Sequence, residues 1–285
     1  MGRLGRYLWL TGLLLMGTTA TAAAPSATAF FYGTEVPVDA LSLYARAVVL
    51  PEHIDSDRER QWLRGDTAAI AYVSLGEVAD NASYARQIQA AWRIGYNRAW
   101  GSQIMDVSHP GWHKFVLEQQ VSALVAQGYR GLFLDTLDSY QLAAASPADR
   151  ARYEAGLAAL IVAIKQRWPD LYLIANRGFE LLPEIAPALS ELVVESLYAS
   201  YDASTDSYAS SSLADQQWLL AQLSQVRIQH QLPVTVIDYL PDTGLAEAES
   251  LARKIIAAGF EPWIADGHLT RLGRGPIAPV PRRIL

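Results

Sequence analysis

Ala126-Gln-Gly128-Tyr-Arg-Gly131-Leu-Phe-Leu-Asp135 is echoed by Ala257-Ala-Gly259-Phe-Glu-Pro-Trp-Ile-Ala-Asp266. In both stretches a helix end, a glycine, a short apolar run and a terminal aspartate fall at the same spacing. Glycine at a helix C-terminus before a strand is common, so the echo fits two unrelated junctions as well as the fourth and eighth repeats of a barrel. Working outward, apolar runs rich in Val, Ile, Phe and Tyr recur at 29–33, 47–51, 69–74, 131–136, 171–176, 192–197, 234–240 and 261–266. Eight such runs separated by helical segments are the pattern of parallel βαβ units. They predict an α/β fold, a single-domain (β/α)₈ TIM barrel.

The helical segments support this. Leu157, Leu160, Ile161, Ile164 and Trp168 form one apolar stripe. Ser146-Pro147-Ala148-Asp149 gives that helix an N-cap, a first-turn proline and a capping acid. Leu117, Val121, Leu124 and Val125 make a second stripe that Gly128 ends, and Leu219, Leu223 and Val226 make a third. Residues 79–128 exceed one βα connection, which predicts an extra helix or loop above strand three, on the rim. The serine-rich 204–212 reads as a βα loop.

At the amino end, Arg3 and Arg6 precede the apolar run 8–16 and the small residues Ala20-Thr21-Ala22. That layout is a signal peptide over 1–22, with an uncleaved anchor as the alternative. The expected divisions are therefore a signal segment 1–22, a barrel 23–269 and a Pro- and Arg-rich tail 270–285 that either packs along the barrel or is disordered. The mature chain is expected to be periplasmic or extracellular, without stable membrane insertion. The 285-residue chain has no cysteine, so it has no disulfide to rely on. Its net charge of −6 moves to −8 when Arg3 and Arg6 leave with the signal. This argues against nucleic acid and fits a cationic partner, although dispersed surface acidity would give the same figure.

In a barrel the reactive groups stand at the C-terminal strand ends. Those ends are acidic here: Glu77 after strand three, Asp135 and Asp138 at strand four, Glu195 at six, Asp238 at seven and Asp266 at eight. Strand five offers Asn176 and Arg177, and Tyr32, Tyr72, Tyr198 and Tyr239 bring hydroxyls to the same rim. Asp135 and Glu195 each close a strongly apolar run, where a charge is costly unless it faces a polar cavity. Two carboxylates in one cleft suit glycosidic cleavage, while pairing with Arg177 or capping the next helix is the other role open to each. Expected substrate contacts are Tyr32, Tyr72, Glu77, Asp138, Asn176, Arg177, Tyr198 and Asp238. Asp138 reads more readily as a helix cap, and Glu77 equally as loop structure.

The histidines show no H-E-x-x-H or H-x-H spacing, so no metal is expected, a D-x-x-D pair at Asp135 and Asp138 being a weak calcium or magnesium signal. There is no G-x-S-x-G elbow, Walker loop or G-x-G-x-x-G turn, and no cofactor is expected.

Six segments together resemble the endo-α-1,4-polygalactosaminidase family. They are Phe31-Tyr-Gly33, Ala71-Tyr-Val-Ser-Leu-Gly-Glu77, Met105-Asp-Val-Ser-His-Pro-Gly-Trp112, Gly131-Leu-Phe-Leu-Asp-Thr-Leu-Asp138, Asn176-Arg-Gly178 and Val193-Val-Glu-Ser-Leu-Tyr198. They run in consistent order through nearly the whole mature chain. The resemblance implies a barrel that cleaves an amino-sugar polysaccharide, galactosamine-rich and α-1,4-linked, from within. It places the catalytic Asp and Glu at Asp135 and Glu195. By similarity to barrels that cleave α-galactosides, Asp135 would be nucleophile and Glu195 acid/base. The resembled bacterial hydrolase regions are followed by a deacetylase region, whereas this sequence stops just past the barrel. Whether the polymer is met during export or degradation stays open, as does a non-catalytic polysaccharide-binding role.

Overall fold

The computed structural model describes residues 27–241 and 245–276. The predicted signal segment 1–22 and the end of the predicted tail, from 277, lie outside the described residues. Eight parallel strands form one sheet in chain order: β1 (Thr28–Phe31), β2 (Arg46–Val49), β3 (Ala68–Ser74), β4 (Gly131–Asp135), β5 (Tyr172–Asn176), β6 (Glu191–Glu195), β7 (Val234–Tyr239) and β8 (Glu261–Ala265). Each pairs only with its sequence neighbours, and the sheet curls until β1 and β8 meet. There Phe30 and Trp263 lie 6.0 Å apart by ring centroid, and the Tyr32 N–H donates to the Leu269 carbonyl at 2.7 Å. All eight predicted runs are strands of this nearly closed barrel. Gly128 and Gly259, the two glycines of the echo, both have left-handed φ, at 111° and 91°.

Alternation along the strands sorts the interior into three layers. At the N-terminal end Glu191 accepts from Thr28 (2.9 Å), Thr235 (2.7 Å) and Tyr172 (3.1 Å). Two residues further on come Phe30, Phe133, Ile174, Val193 and Ile237, all buried; Phe30 meets Phe133 edge to face at 5.8 Å. Another two residues on stand Tyr32, Asp135, Asn176, Glu195 and Tyr239. A polar cluster therefore sits on an apolar floor that water does not reach from below. Tyr72 joins the layers, its ring stacked 5.9 Å from Phe133.

The outer helices are set by their caps. Ser146 accepts from the Asp149 N–H at the start of Pro147–Arg167, and Leu157, Leu160, Ile161 and Ile164 are buried against the sheet. Ser212 does the same for Leu213–Gln225. The stripe from Leu117 to Val125 is helical but passes through a π segment at Val116–Val121. One expectation needs correction. The insertion after β3 is built around a three-stranded antiparallel sheet of Glu77–Ala79, Arg93–Asn97 and Ser102–Met105 rather than a helix or plain loop. The serine-rich stretch lies in a βα connection as expected, and that connection carries a hairpin, Ala199–Asp202 against Ser207–Ser210. Both are short strands whose small and polar residues give little apolar alternation. The described part of the predicted tail lies against β8, where Ile264 and Arg274 exchange two backbone bonds of 2.8 Å.

Candidate active site

Asp135, Asn176 and Glu195 end three adjacent strands, and the residue after each has a positive φ: Thr136 60°, Arg177 55°, Ser196 65°. Left-handed backbone costs a residue with a side chain on the order of 1–2 kcal/mol, so neighbours must hold these turns. At Thr136 they do. Its hydroxyl accepts from the Gly76 N–H at 2.8 Å and contacts Ser74 Oγ at 2.9 Å. A Cβ on Gly76 would lie 2.2 Å from the Thr136 carbonyl oxygen, so only glycine fits beneath the turn. Each turn ends its strand and leaves the preceding side chain as the last one pointing inward.

Asn176 Nδ2 donates to Asp135 Oδ1 and to Glu195 Oε1, at 2.9 Å in each case. The remaining oxygens have tyrosine donors: Tyr72 to Asp135 Oδ2 at 2.6 Å, and Tyr239 to Glu195 Oε2 at 2.7 Å. Tyr32 stands edge-on to Tyr72 at 5.5 Å. Burial, reinforced by the two carboxylates, pushes the hydroxyls of Tyr32, Tyr72 and Tyr239 well above the ordinary tyrosine range, so all three stay neutral and Tyr72 and Tyr239 act as donors. The Glu195 carboxyl is raised, first by burial and then by the Asp135 charge; bonds from Tyr239 and Asn176 and the nearby Arg177 charge partly offset this. Arg177 does not pair with either carboxylate; it donates to the Glu195 carbonyl at 3.0 Å. Asn176 Oδ1 is buried without a partner.

The other expected contacts are placed differently. Asp138 sits at the N-cap position of a short 3₁₀ turn but makes no side-chain cap bond, so its capping role is overturned. The residue is exposed, yet its carboxyl is raised by desolvation, offset in part by its own backbone N–H and then by the Arg177 charge. Glu77 is buried and spends its oxygens on Asn97 (2.9 Å) and on Ser102, which tie the insertion sheet together. Asp238 is 0% exposed. It precedes Tyr239 by one residue and therefore faces the helix layer, where it accepts the Tyr198 N–H at 3.0 Å. Lys254 Nζ lies 3.6 Å from the Tyr198 ring centroid on that side. A sugar contact at Glu77 or Asp238 is thus disfavoured by what each already holds, and their work is to fix the loops beside the pair. Thr136 is the functional neighbour that strand-end reasoning did not single out, and Tyr239, placed on the rim as a hydroxyl, was not counted among the expected substrate contacts although it bonds Glu195. A strict count by twos along β7 from Ile237 would have selected Tyr239 over Asp238. Among the described residues no group of three or more His, Asp or Glu converges as a metal site would require.

A family model described as glycoside-hydrolase family GH114 matches residues 19–278. The structure is similar to that of the glycoside hydrolase domain of PelA from Pseudomonas aeruginosa, with a TM-score of 0.81 and 35% identity, over 89% of this chain and 100% of that one. The crystal structure of Aspergillus fumigatus Ega3 in complex with galactosamine matches with a TM-score of 0.61 and 15% identity, over 89% and 95% of the two chains, a likeness of fold alone. An uncharacterized protein of Deinococcus radiodurans is 26% identical over 211 residues, 71% of this chain. The match spans 65% of that curated relative's length.

Proposed function

The chain belongs to glycoside-hydrolase family GH114, and from that premise we propose that this glycoside hydrolase cleaves α-1,4 linkages within a galactosamine-rich polysaccharide, with Asp135 as nucleophile and Glu195 as acid/base. The shared Asn176 nitrogen supports the pairing and its close spacing, and the raised Glu195 carboxyl supports its role as the acid. Two bonds of 2.9 Å to one atom hold the nearest oxygens of the pair no more than about 5.8 Å apart. Retaining enzymes space their carboxyls by about 5–5.5 Å, whereas inverting ones need about 6.5–9.5 Å for an intervening water.

The steps follow from the charges. Glu195, its carboxyl raised by burial, gives its proton to the leaving glycosidic oxygen as an Asp135 oxygen attacks the anomeric carbon. The bond to the leaving sugar breaks and an ester to Asp135 forms. Glu195, now ionised, takes a proton from water; the water oxygen attacks the same carbon and releases Asp135 as carboxylate. Asn176, Tyr72 and Tyr239 orient the two acids throughout.

The substrate class rests on the family resemblance, on the galactosamine in the Ega3 complex and on the acidity of the site, with exposed Asp138 beside the pair favouring an amine. Arg3, Arg6, the apolar run 8–16 and Ala20-Thr21-Ala22 support export of the barrel 23–269 to the periplasm or beyond. Among the described residues no helix is long and apolar enough to cross a membrane. The test is a digest of purified α-1,4-galactosamine and glucosamine polymers with the products sized. The expected result is intermediate-length oligosaccharides from the galactosamine polymer alone; cleavage confined to the glucosamine polymer, or monosaccharide from the first minutes, would overturn it.

A further inference from the structure

Beside the carboxylate pair opens a cleft of about 330 Å³ whose lining includes Arg177, Ser196, Ser200, Ser211, Asp215 and Trp218. Two of these residues are continuous with the site, since Arg177 follows Asn176 and Ser196 follows Glu195. Arg177 also donates to the Glu195 carbonyl at 3.0 Å, so the cleft's inner wall is tied to the strand end that carries Glu195. Trp218 is 51% exposed. The helix Leu213–Gln225 buries Leu219 and Leu223, and Trp218 is held edge-on at 5.8 Å by Phe179, so core packing does not account for its open surface. The far wall is preformed: Ser211 Oγ donates to the Ser196 carbonyl at 2.7 Å, and Gln216 Nε2 to the Ser211 carbonyl at 2.7 Å.

We infer that this cleft is a second sugar-binding subsite, holding an amino-sugar residue of the polymer adjacent to the one at the carboxylate pair. The inference rests on the proposed function above and extends it to a place. A pyranose presents an apolar C–H face and a rim of hydroxyls. The exposed Trp218 suits the face, and indole is the best aromatic partner for an ammonium group. Asp215 has Oδ2 engaged by Ser212 at 2.6 Å, and its charge at the mouth favours the same amine. The hydroxyls of Ser196 and Ser210 make no side-chain hydrogen bond among the described residues, which leaves them to a ligand. A rigid cleft loses little entropy on filling.

The test uses the full chain carrying Glu195→Gln, so that nothing is consumed, titrated calorimetrically with partly deacetylated α-1,4-galactosamine oligosaccharides of graded length. Binding should strengthen as the oligosaccharide grows long enough to reach the cleft. Trp218→Ala should remove that gain, about ten-fold, with thermal stability unchanged; Trp218→Phe should restore part of it. In the otherwise native protein, Trp218→Ala should raise KM on polymer about ten-fold and change kcat far less. The same length dependence with and without Trp218, or no binding of any oligosaccharide, would overturn the subsite. Turnover reads separately: an oligosaccharide bound through Trp218 but never cut by the native protein would sink the catalytic reading and leave the subsite standing.

Discussion

Asp135 and Glu195 accept hydrogen bonds from a single nitrogen, that of Asn176, at equal distances of 2.9 Å. One amide thus sets both their spacing and their mutual repulsion. It donates to both acids and keeps their nearest oxygens no more than about 5.8 Å apart, a spacing that favours the proposed double displacement.

The spacing predicts the stereochemistry. Proton NMR of a digest of α-1,4-linked galactosamine polymer should show the α-anomer of the new reducing end first, with β appearing only through mutarotation. Initial β-anomer would contradict the double displacement.

Tyr239→Phe removes the hydroxyl bond that holds the Glu195 carboxyl down against burial and the Asp135 charge. The Glu195 pKa then rises further. Because the alkaline limb of kcat/KM against pH reports loss of the acid's proton, that limb should move to higher pH, and the plateau should drop by about ten-fold as one bond to a charged group is lost. A limb that stays or moves down would show that Glu195 is not the acid.

Asp238 carries a pH signature of its own. Burial raises its carboxyl to about 7, partly offset by the backbone N–H groups of Tyr198, Ala199 and Leu197. The folded state therefore holds a proton that the unfolded state has already released. Its contribution to stability is full below about pH 4 and is lost as pH rises to about 7, at up to about 1.4 kcal/mol per unit. Asp238→Asn does not titrate, so its Tm relative to the native protein should climb from pH 4 to 7 and level off above. A constant difference would place the proton elsewhere.

Gly267 touches the hairpin that leans over the site. A Cβ there would lie 2.3–2.5 Å from the Tyr201 ring, and the Gly267 N–H donates to the Tyr208 hydroxyl at 2.9 Å. Tyr201 in turn sits 6.4 Å from Tyr239 by ring centroid. Gly267→Ala should displace the hairpin and lower kcat/KM, at an overpacking cost of about 1–3 kcal/mol before relaxation. In the double variant with Tyr201→Ala the losses should not add; additive losses in Tm and kcat/KM would mean that the two residues are not in contact.

The barrel was legible because burial on both faces forces near-continuous apolar runs, and 131–136 and 192–197 could hardly be anything else. The same contrast exposed Asp135 and Glu195, since a carboxylate that ends Leu-Phe-Leu or Leu-Val-Val advertises its cost. Asp238 has the same signature and misled for a reason of parity, being one residue out of step with the inward set. Glu77 and Asp138 lie past their strand ends, where alternation no longer tells direction. The insertion sheet and the Ala199–Ser210 hairpin escaped because strands of three to five residues, half of them small or polar, leave no apolar rhythm to read.

The most direct measurement is turnover of galactosamine polymer by Asp135→Asn and Glu195→Gln, each first shown by circular dichroism and Tm to be folded. Both isosteric changes keep the Asn176 network's shape and remove one carboxylate, so each should cost kcat several orders of magnitude. Native-like turnover by either variant would contradict the assignment of this pair.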